Sequence, residues 1–216
     1  MSIGKTVRKL LGVGLFPIAA RYYRNVFTDL EKVSVIFSQI IPENGLILDI
    51  GGGDGALLNS LLVSRKDVTV TMIDLSESVG SGLHPEFQSR VKILPCTSVA
   101  MYHEYQNVFF NTVIISDVIH HIPVNERILF FKDILELCRK RNGAVKIIVK
   151  EIGTSGIISK LGFLADRYIS NDKNVSFISQ EDLQEQLKIV FPEAHFIDTG
   201  LSRVDFPNYA FSFSFN

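Results

Sequence analysis

Leu48-Asp49-Ile50-Gly51-Gly52-Gly53-Asp54-Gly55 is the stretch on which the fold turns. The run Gly45–Ile50 is apolar and ends in glycines, so it reads as a first strand, and Ala56–Leu62 reads as an apolar helix. Glycines at 51, 53 and 55 let the chain turn sharply and let a ligand approach the backbone with no Cβ in the way. Strand, glycine turn and helix in that order are the setting of a nucleotide site.

The alternation continues downstream. Val68–Ile73 and Val91–Leu94 read as second and third strands. Thr112–Ile115 is a β-branched run of the kind buried on both faces, a fourth strand. Pro123 suits the first turn of the next helix, with Ile128, Phe131, Leu135 and Cys138 as its buried face. Arg139-Lys140-Arg141 complement that helix's C-terminal dipole, Asn142-Gly143 closes it, and Val145–Val149 is a fifth strand. Ser179-x-x-Asp182 caps a helix through about Val190. The runs 194–199 and 208–215 follow, with Phe211, Phe213 and Phe215 alternating with serines at a period of two. Two strands so closely connected are antiparallel. The expected architecture is α/β: a Rossmann-like seven-stranded mixed sheet, mostly parallel, with an antiparallel C-terminal hairpin and helices on both faces.

Upstream, Thr28-Asp29-Leu30-Glu31 has the form of a capping box for a helix over 28–41. Residues 1–24 carry Lys5, Arg8, Lys9, Arg21 and Arg24 and no acid, around the apolar run Leu10–Ala20. That run is too short to span a bilayer, although its charge-then-apolar order is that of a signal peptide. The reading taken is a basic amphipathic segment lying on the domain, with a lid or a membrane-surface contact as alternatives, and a cytoplasmic location. The segment 153–177 interrupts the alternation near the carboxyl ends of the sheet, where ligands bind. It is a candidate lid or substrate wall, with an extra packing helix as the alternative. The chain is read as one domain: N-terminal helices over 1–43, a cofactor core over 44–152, the insertion over 153–177, and a terminal helix and hairpin over 178–216.

Composition narrows the function. The 216 residues are 46% hydrophobic and 21% charged, with 22 Lys and Arg against 23 Asp and Glu. That balance exerts no general pull on nucleic acid. The two cysteines, Cys96 and Cys138, form no metal-binding spacing, so no metal is expected.

Two cofactors compete for the glycine loop. Gly51-x-Gly53-x-x-Ala56 fits a dinucleotide fingerprint, whose helix N-terminus faces a pyrophosphate. Against this, Asp49 and Asp54 would repel phosphate, and the motif begins some 44 residues into the chain. A cofactor bearing an amine and a sulfonium cation suits these acids instead. Asp74, ending the second strand, can accept both hydroxyls of a ribose in either case.

The Asp-x-Gly-x-Gly-x-Gly loop, the strand-end Asp74 and Ser116-Asp117-Val118-Ile119-His120-His121-Ile122-Pro123 together resemble class I S-adenosylmethionine-dependent methyltransferases of the small-molecule type. The resemblance covers roughly residues 44–152. It implies that Asp49 orders the loop and the methionine end, that Gly51, Gly53 and Gly55 form the loop, and that Asp74 holds the ribose with Leu75 beside the adenine. Ser116 and Asp117 match the fourth-strand motif near the methionine portion. The family often has an acid after the third strand for the adenine amino group. Here Pro95-Cys96-Thr97-Ser98 has none, which leaves Thr97, Ser98 or a backbone group.

The resemblance implies O-methylation of a small, partly hydrophobic acceptor by in-line displacement. A hydroxyl nucleophile is helped by a general base. The candidates are His120 or His121, of which one is expected to face the pocket, and Glu151 or Lys150 at the end of the fifth strand. Tyr22 and Tyr23 are candidates to shield the sulfonium. The alternatives are a nucleic-acid or protein methyltransferase and a non-catalytic cofactor-binding homologue. The sequence has neither the Asn/Asp-Pro-Pro-Tyr-like run of base-flipping enzymes nor the Tyr-x-x-x-Lys pair of nicotinamide oxidoreductases.

Overall fold

The computed structural model of the chain describes residues 28–104, 109–141, 143–156, 159–160, 163 and 175–215. Seven strands form one sheet: β1 (Leu46–Ile50), β2 (Thr69–Ile73), β3 (Val91–Leu94), β4 (Thr112–Ser116), β5 (Val145–Ile152), β6 (Ile197–Asp198) and β7 (Asn208–Phe215). Their order is β3-β2-β1-β4-β5-β7-β6. β1 to β5 run parallel, and β7 inserts antiparallel between β5 and β6. This is the expected mixed sheet.

Side-chain alternation sorts the core into two layers. Leu48, Ile50, Val113, Ile115, Ile147 and Val149 face one side, packing with α3 (Val99–His103), α4 (Arg127–Arg139) and α5 (Gln180–Val190). Ile47, Ile114 and Ile148 face the other, packing with α1 (Leu30–Ile40), α2 (Ala56–Ser64) and α6 (Leu201–Val204). Each fully buried Ile, Leu or Phe contributes about 1.5–3 kcal/mol, so both faces of the central strands hold the sheet together. α1 has no basic residue in its last turn. Arg65 supplies the missing donors from the end of α2, with bonds to the carbonyls of Ser38, Ile41 and Pro42 at 2.8, 2.7 and 2.6 Å.

Four local expectations need correction. Asp29, not Thr28, caps α1 by accepting from the Lys32 amide, which frees Thr28 for a contact inside the sheet. Pro123 does not open α4. A 3₁₀ turn over Ile119–His121 and a turn closed by Glu126 N–H on the Pro123 carbonyl come first, and the helix begins at Arg127. Residues 194–199 yield only the two-residue β6, because the Ala194 amide is held by Phe191 in the turn after α5. The connection from β6 to β7 contains the one-turn α6. Ser179 caps α5 as expected, accepting from Asp182 N–H.

Tyr22, Tyr23 and the rest of residues 1–27, with most of 157–174, lie outside the described residues. The expected lid and cap fall on those same segments. No helix among the described residues is long and apolar enough to cross a membrane.

Candidate cofactor and active site

The site forms where β1, β2, β4 and β5 end. Beyond Ile50 the chain turns with Gly51 at φ +70°, and its amide bonds to the Ile73 carbonyl at 2.8 Å. A Cβ at this position would lie 2.4 Å from Val118, so a side chain would be blocked as well as strained. Gly52 is required for a different reason: its Cβ would meet Asp49 Oδ2 at 2.5 Å and Met72 at 2.6 Å. No motif marks Gly52, since the need arises from side chains beneath the loop. Gly53 and Gly55 complete the turn, and Gly55 caps α2.

Asp49 is buried under this loop. Burial, reinforced by the negative charge of Asp74, pushes its carboxyl up to about 7. In the unfolded chain the group titrates near 3.8. Between those values the folded protein keeps a proton that the unfolded chain has lost, so stability falls as pH rises from about 4 to about 7. Asp49→Asn is expected to remove that slope and to stabilise the ligand-free protein at pH 8 by a few kcal/mol. Urea denaturation of both proteins at pH 5, 6, 7 and 8 measures the difference. Parallel curves would show that Asp49 is ionised throughout.

Asp74 follows β2. Its Oδ2 accepts from Gly53 N–H at 3.0 Å and its Oδ1 from Ser76 N–H at 2.8 Å. One carboxylate therefore braces the glycine loop while lining a cleft of about 530 Å³. Gly51, Leu75, Thr97, Asp117 and His121 also line it. Leu75 is highly exposed on that wall. The Thr97 hydroxyl donates to the Pro95 carbonyl at 2.9 Å, and Ser98 caps α3 by accepting from Met101 N–H. Both hydroxyls thus have local partners. Glu126, just before α4, and Asp133, in its middle, also line the cleft, and neither belongs to a motif. The lining holds four carboxylates and no Lys or Arg among the described residues.

A second group lies beside the cleft and is buried. Glu151, in β5, is fully inaccessible. Its Oε1 accepts from the Val118 and Ile119 amides at 2.9 and 2.6 Å. Its Oε2 meets His120 Nδ1 at 2.5 Å. His120 is 3% exposed, packs its ring edge-on to Phe177, and touches the His121 ring at 4.0 Å between centroids. The two histidines therefore diverge: His121 lines the cleft and His120 turns inward to Glu151. Arg127, also buried, donates to the Ile122 carbonyl at 3.2 Å and to the Ser176 carbonyl at 2.5 Å, pinning the same loop. Desolvation pulls its guanidinium below the usual range. Ser116 bonds to Asp117 at 3.4 Å and does not line the cleft.

Asp117, His120 and Glu151 bring three ligand-type atoms within 4.8 Å of one another. The chain's own groups already engage them. Lys150 Nζ sits 2.7 Å from both Asp117 oxygens, and Glu151 is taken by two amides and a histidine. Cys96 is exposed, and Cys138 is buried with its thiol pushed up to about 12.

No protein-family model matches the chain, and no curated protein matches it significantly in sequence. Solved structures do match in fold. A methyltransferase from Archaeoglobus fulgidus, described as dependent on S-adenosylmethionine, aligns with a TM-score of 0.65 at 13% identity, over 91% of this chain and 99% of its own. The O-methyltransferase NcsB1 of neocarzinostatin biosynthesis, solved with S-adenosylhomocysteine and 1,4-dihydroxy-2-naphthoic acid, aligns at 0.62 and 15% identity. It is matched over 90% of this chain and 55% of its own. Human N-acetylserotonin methyltransferase, solved with S-adenosylmethionine, aligns at 0.60 and 17%, over 85% and 53% respectively. The chain thus spans little more than half the length of these last two. The fold is that of the methyltransferases that use S-adenosylmethionine.

Proposed function

We propose that this chain transfers a methyl group from S-adenosylmethionine to a hydroxyl of a small, partly hydrophobic molecule. The observation that carries the cofactor is the cleft lining: a glycine turn, four carboxylates of which Asp117 alone is paired with a lysine behind the wall, and no Lys or Arg on the wall itself among the described residues. Such a wall opposes a pyrophosphate and favours a sulfonium, an ammonium and a ribose diol. The charge of the wall thus supports the second of the two readings of the glycine loop. The bound cofactor supplies an electrophilic methyl on sulfur. Asp74 receives the ribose hydroxyls, Leu75 covers the adenine, Asp117 faces the methionine portion, and Asp49 orders the loop from beneath.

For the acceptor, the argument rests on the His120–Glu151 pair. With Nδ1 held by Glu151, a proton leaving the acceptor would pass to Nε2, and the buried carboxylate would stabilise the imidazolium that forms. His121, on the cleft wall, contacts the acceptor or the methyl-bearing end of the cofactor. The acceptors bound by NcsB1 and acted on by the human enzyme point to hydroxylated aromatic rings as the first panel to try.

Calorimetry tests the cofactor. S-adenosylmethionine and S-adenosylhomocysteine are expected to bind the wild type, and a nicotinamide dinucleotide is not. Asp74→Ala loses charge-assisted bonds to the ribose as well as the brace on Gly53, so both affinities should fall by about a hundredfold. Unchanged affinity in Asp74→Ala, or binding of the dinucleotide, would overturn the reading.

A further inference from the structure

The base and ribose roles above leave one buried charge unexplained. Lys150 is completely inaccessible to solvent. Its three ammonium hydrogens meet three acceptors: both Asp117 carboxylate oxygens at 2.7 Å and Thr28 Oγ1 at 2.9 Å. The backbone repeats the link, with Asp117 N–H on the Lys150 carbonyl at 2.9 Å. Asp117 sits at φ +58°, a left-handed conformation unusual for a residue with a side chain. Its side chain is 39% exposed and lines the cleft. One carboxylate therefore serves a buried ammonium and the cofactor cleft together.

This inference rests on the cofactor proposed above. Cofactor and product differ by one methyl and one positive charge, and that charge disappears as the methyl leaves sulfur. An uncompensated carboxylate beside the sulfonium would stabilise the ground state more than the transition state and slow the transfer. Asp74 already biases the cleft towards a cation, and Asp117 would add to it. We propose that Lys150 is a positioning residue that fixes Asp117 in its left-handed turn and cancels its charge, so that this wall orients the cofactor without over-stabilising the sulfonium. Thr28, the third acceptor, saturates the ammonium and so keeps a buried lysine fully bonded.

The readout is the ratio of the dissociation constants of S-adenosylhomocysteine and S-adenosylmethionine, measured by calorimetry. Lys150→Met exposes the Asp117 charge to the cleft and should raise the preference for the sulfonium about tenfold. Lys150→Gln, which keeps a hydrogen bond to Asp117 and folds more readily, should move the ratio the same way. Lys150→Arg keeps the charge and should leave the ratio at its wild-type value. Adding Asp117→Asn to Lys150→Met should return it there. Loss of packing alone would weaken the two ligands alike, so a ratio unmoved in both Lys150→Met and Lys150→Gln overturns the inference. If the wild type binds neither ligand, the cofactor reading fails and takes this inference with it. If the wild type binds both and the ratio stays fixed, only this inference falls.

Discussion

Glu151→Ala is expected to cost about 3–5 kcal/mol of stability, seen as a Tm lower by roughly 10 °C in a thermal melt. The carboxylate is wholly buried and holds three donors at once: the Val118 amide, the Ile119 amide and His120. Alanine leaves those donors in the protein interior without an acceptor, and each carries a desolvation penalty of about 1–3 kcal/mol. Water cannot easily replace the lost oxygens, because Ile119 and His120 are themselves buried. Glu151→Gln separates the two duties of the side chain. Its carbonyl oxygen can still receive the two amides, so most of the stability should remain. Its NH₂ group then faces His120 Nδ1 and selects the tautomer with the proton on Nε2, the wrong one for a base. A melt of Glu151→Ala within 2 °C of wild type would mean that the loop is held by Arg127 and packing instead.

That double duty shows why part of the site was hidden from the sequence. Glu151 is legible as a strand-end acid, and His120-His121 as a pair after the fourth strand. Nothing in the order of residues says that Glu151 reaches across to the 118–119 amides or that His120 turns inward while His121 turns out. Those facts depend on the parallel register that sets Ser116 opposite Lys150. Once that register is fixed, the residues after Lys150 and after Ser116 must share one space. The Lys150–Asp117 pair follows from the same register. Gly52 was invisible for a similar reason, because the clash that forbids a side chain there is with Asp49 and Met72.

The fold was more legible because its signals are local. The β-branched run at 112–115 is buried on both faces as a central parallel strand must be, and the alternating phenylalanines at 211, 213 and 215 lie on one face of β7. Errors fell where a local signal met a tertiary competitor. Thr28 has the chemistry of a cap, yet its hydroxyl bonds to Lys150 and to Asn208, so Asp29 caps the helix. Pro123 suits a first helical turn, but the loop before it is fixed by Glu151 and Arg127, which delays α4 until residue 127. Two further acids of the cleft, Glu126 just before α4 and Asp133 within it, belong to no motif and were equally hard to read from residue order.

His120→Ala should lower kcat for O-methylation of a hydroxylated aromatic acceptor by about 10²–10⁴-fold, the usual contribution of a positioned base. The KM for S-adenosylmethionine should change by no more than about twofold, because His120 does not line the cofactor cleft. Among the described residues, the other histidine–carboxylate pairs are His84 with Glu86 at 3.7 Å and His103 with Glu104 at 3.9 Å, each longer than the buried pair and partly exposed. Only the buried pair combines a short contact with exclusion of water, the condition under which a carboxylate best stabilises a developing imidazolium. Glu151→Gln should reproduce much of the kcat loss while the melt stays close to wild type, which a purely structural role cannot do. Added imidazole should restore part of the rate to His120→Ala, since the substitution leaves a ring-sized space beside Phe177. His121→Ala is expected to act on the acceptor KM more than on kcat. The opposite pattern, a large kcat loss in His121→Ala with His120→Ala near wild type, would move the base to the cleft wall and leave His120 and Glu151 as the frame that aims it.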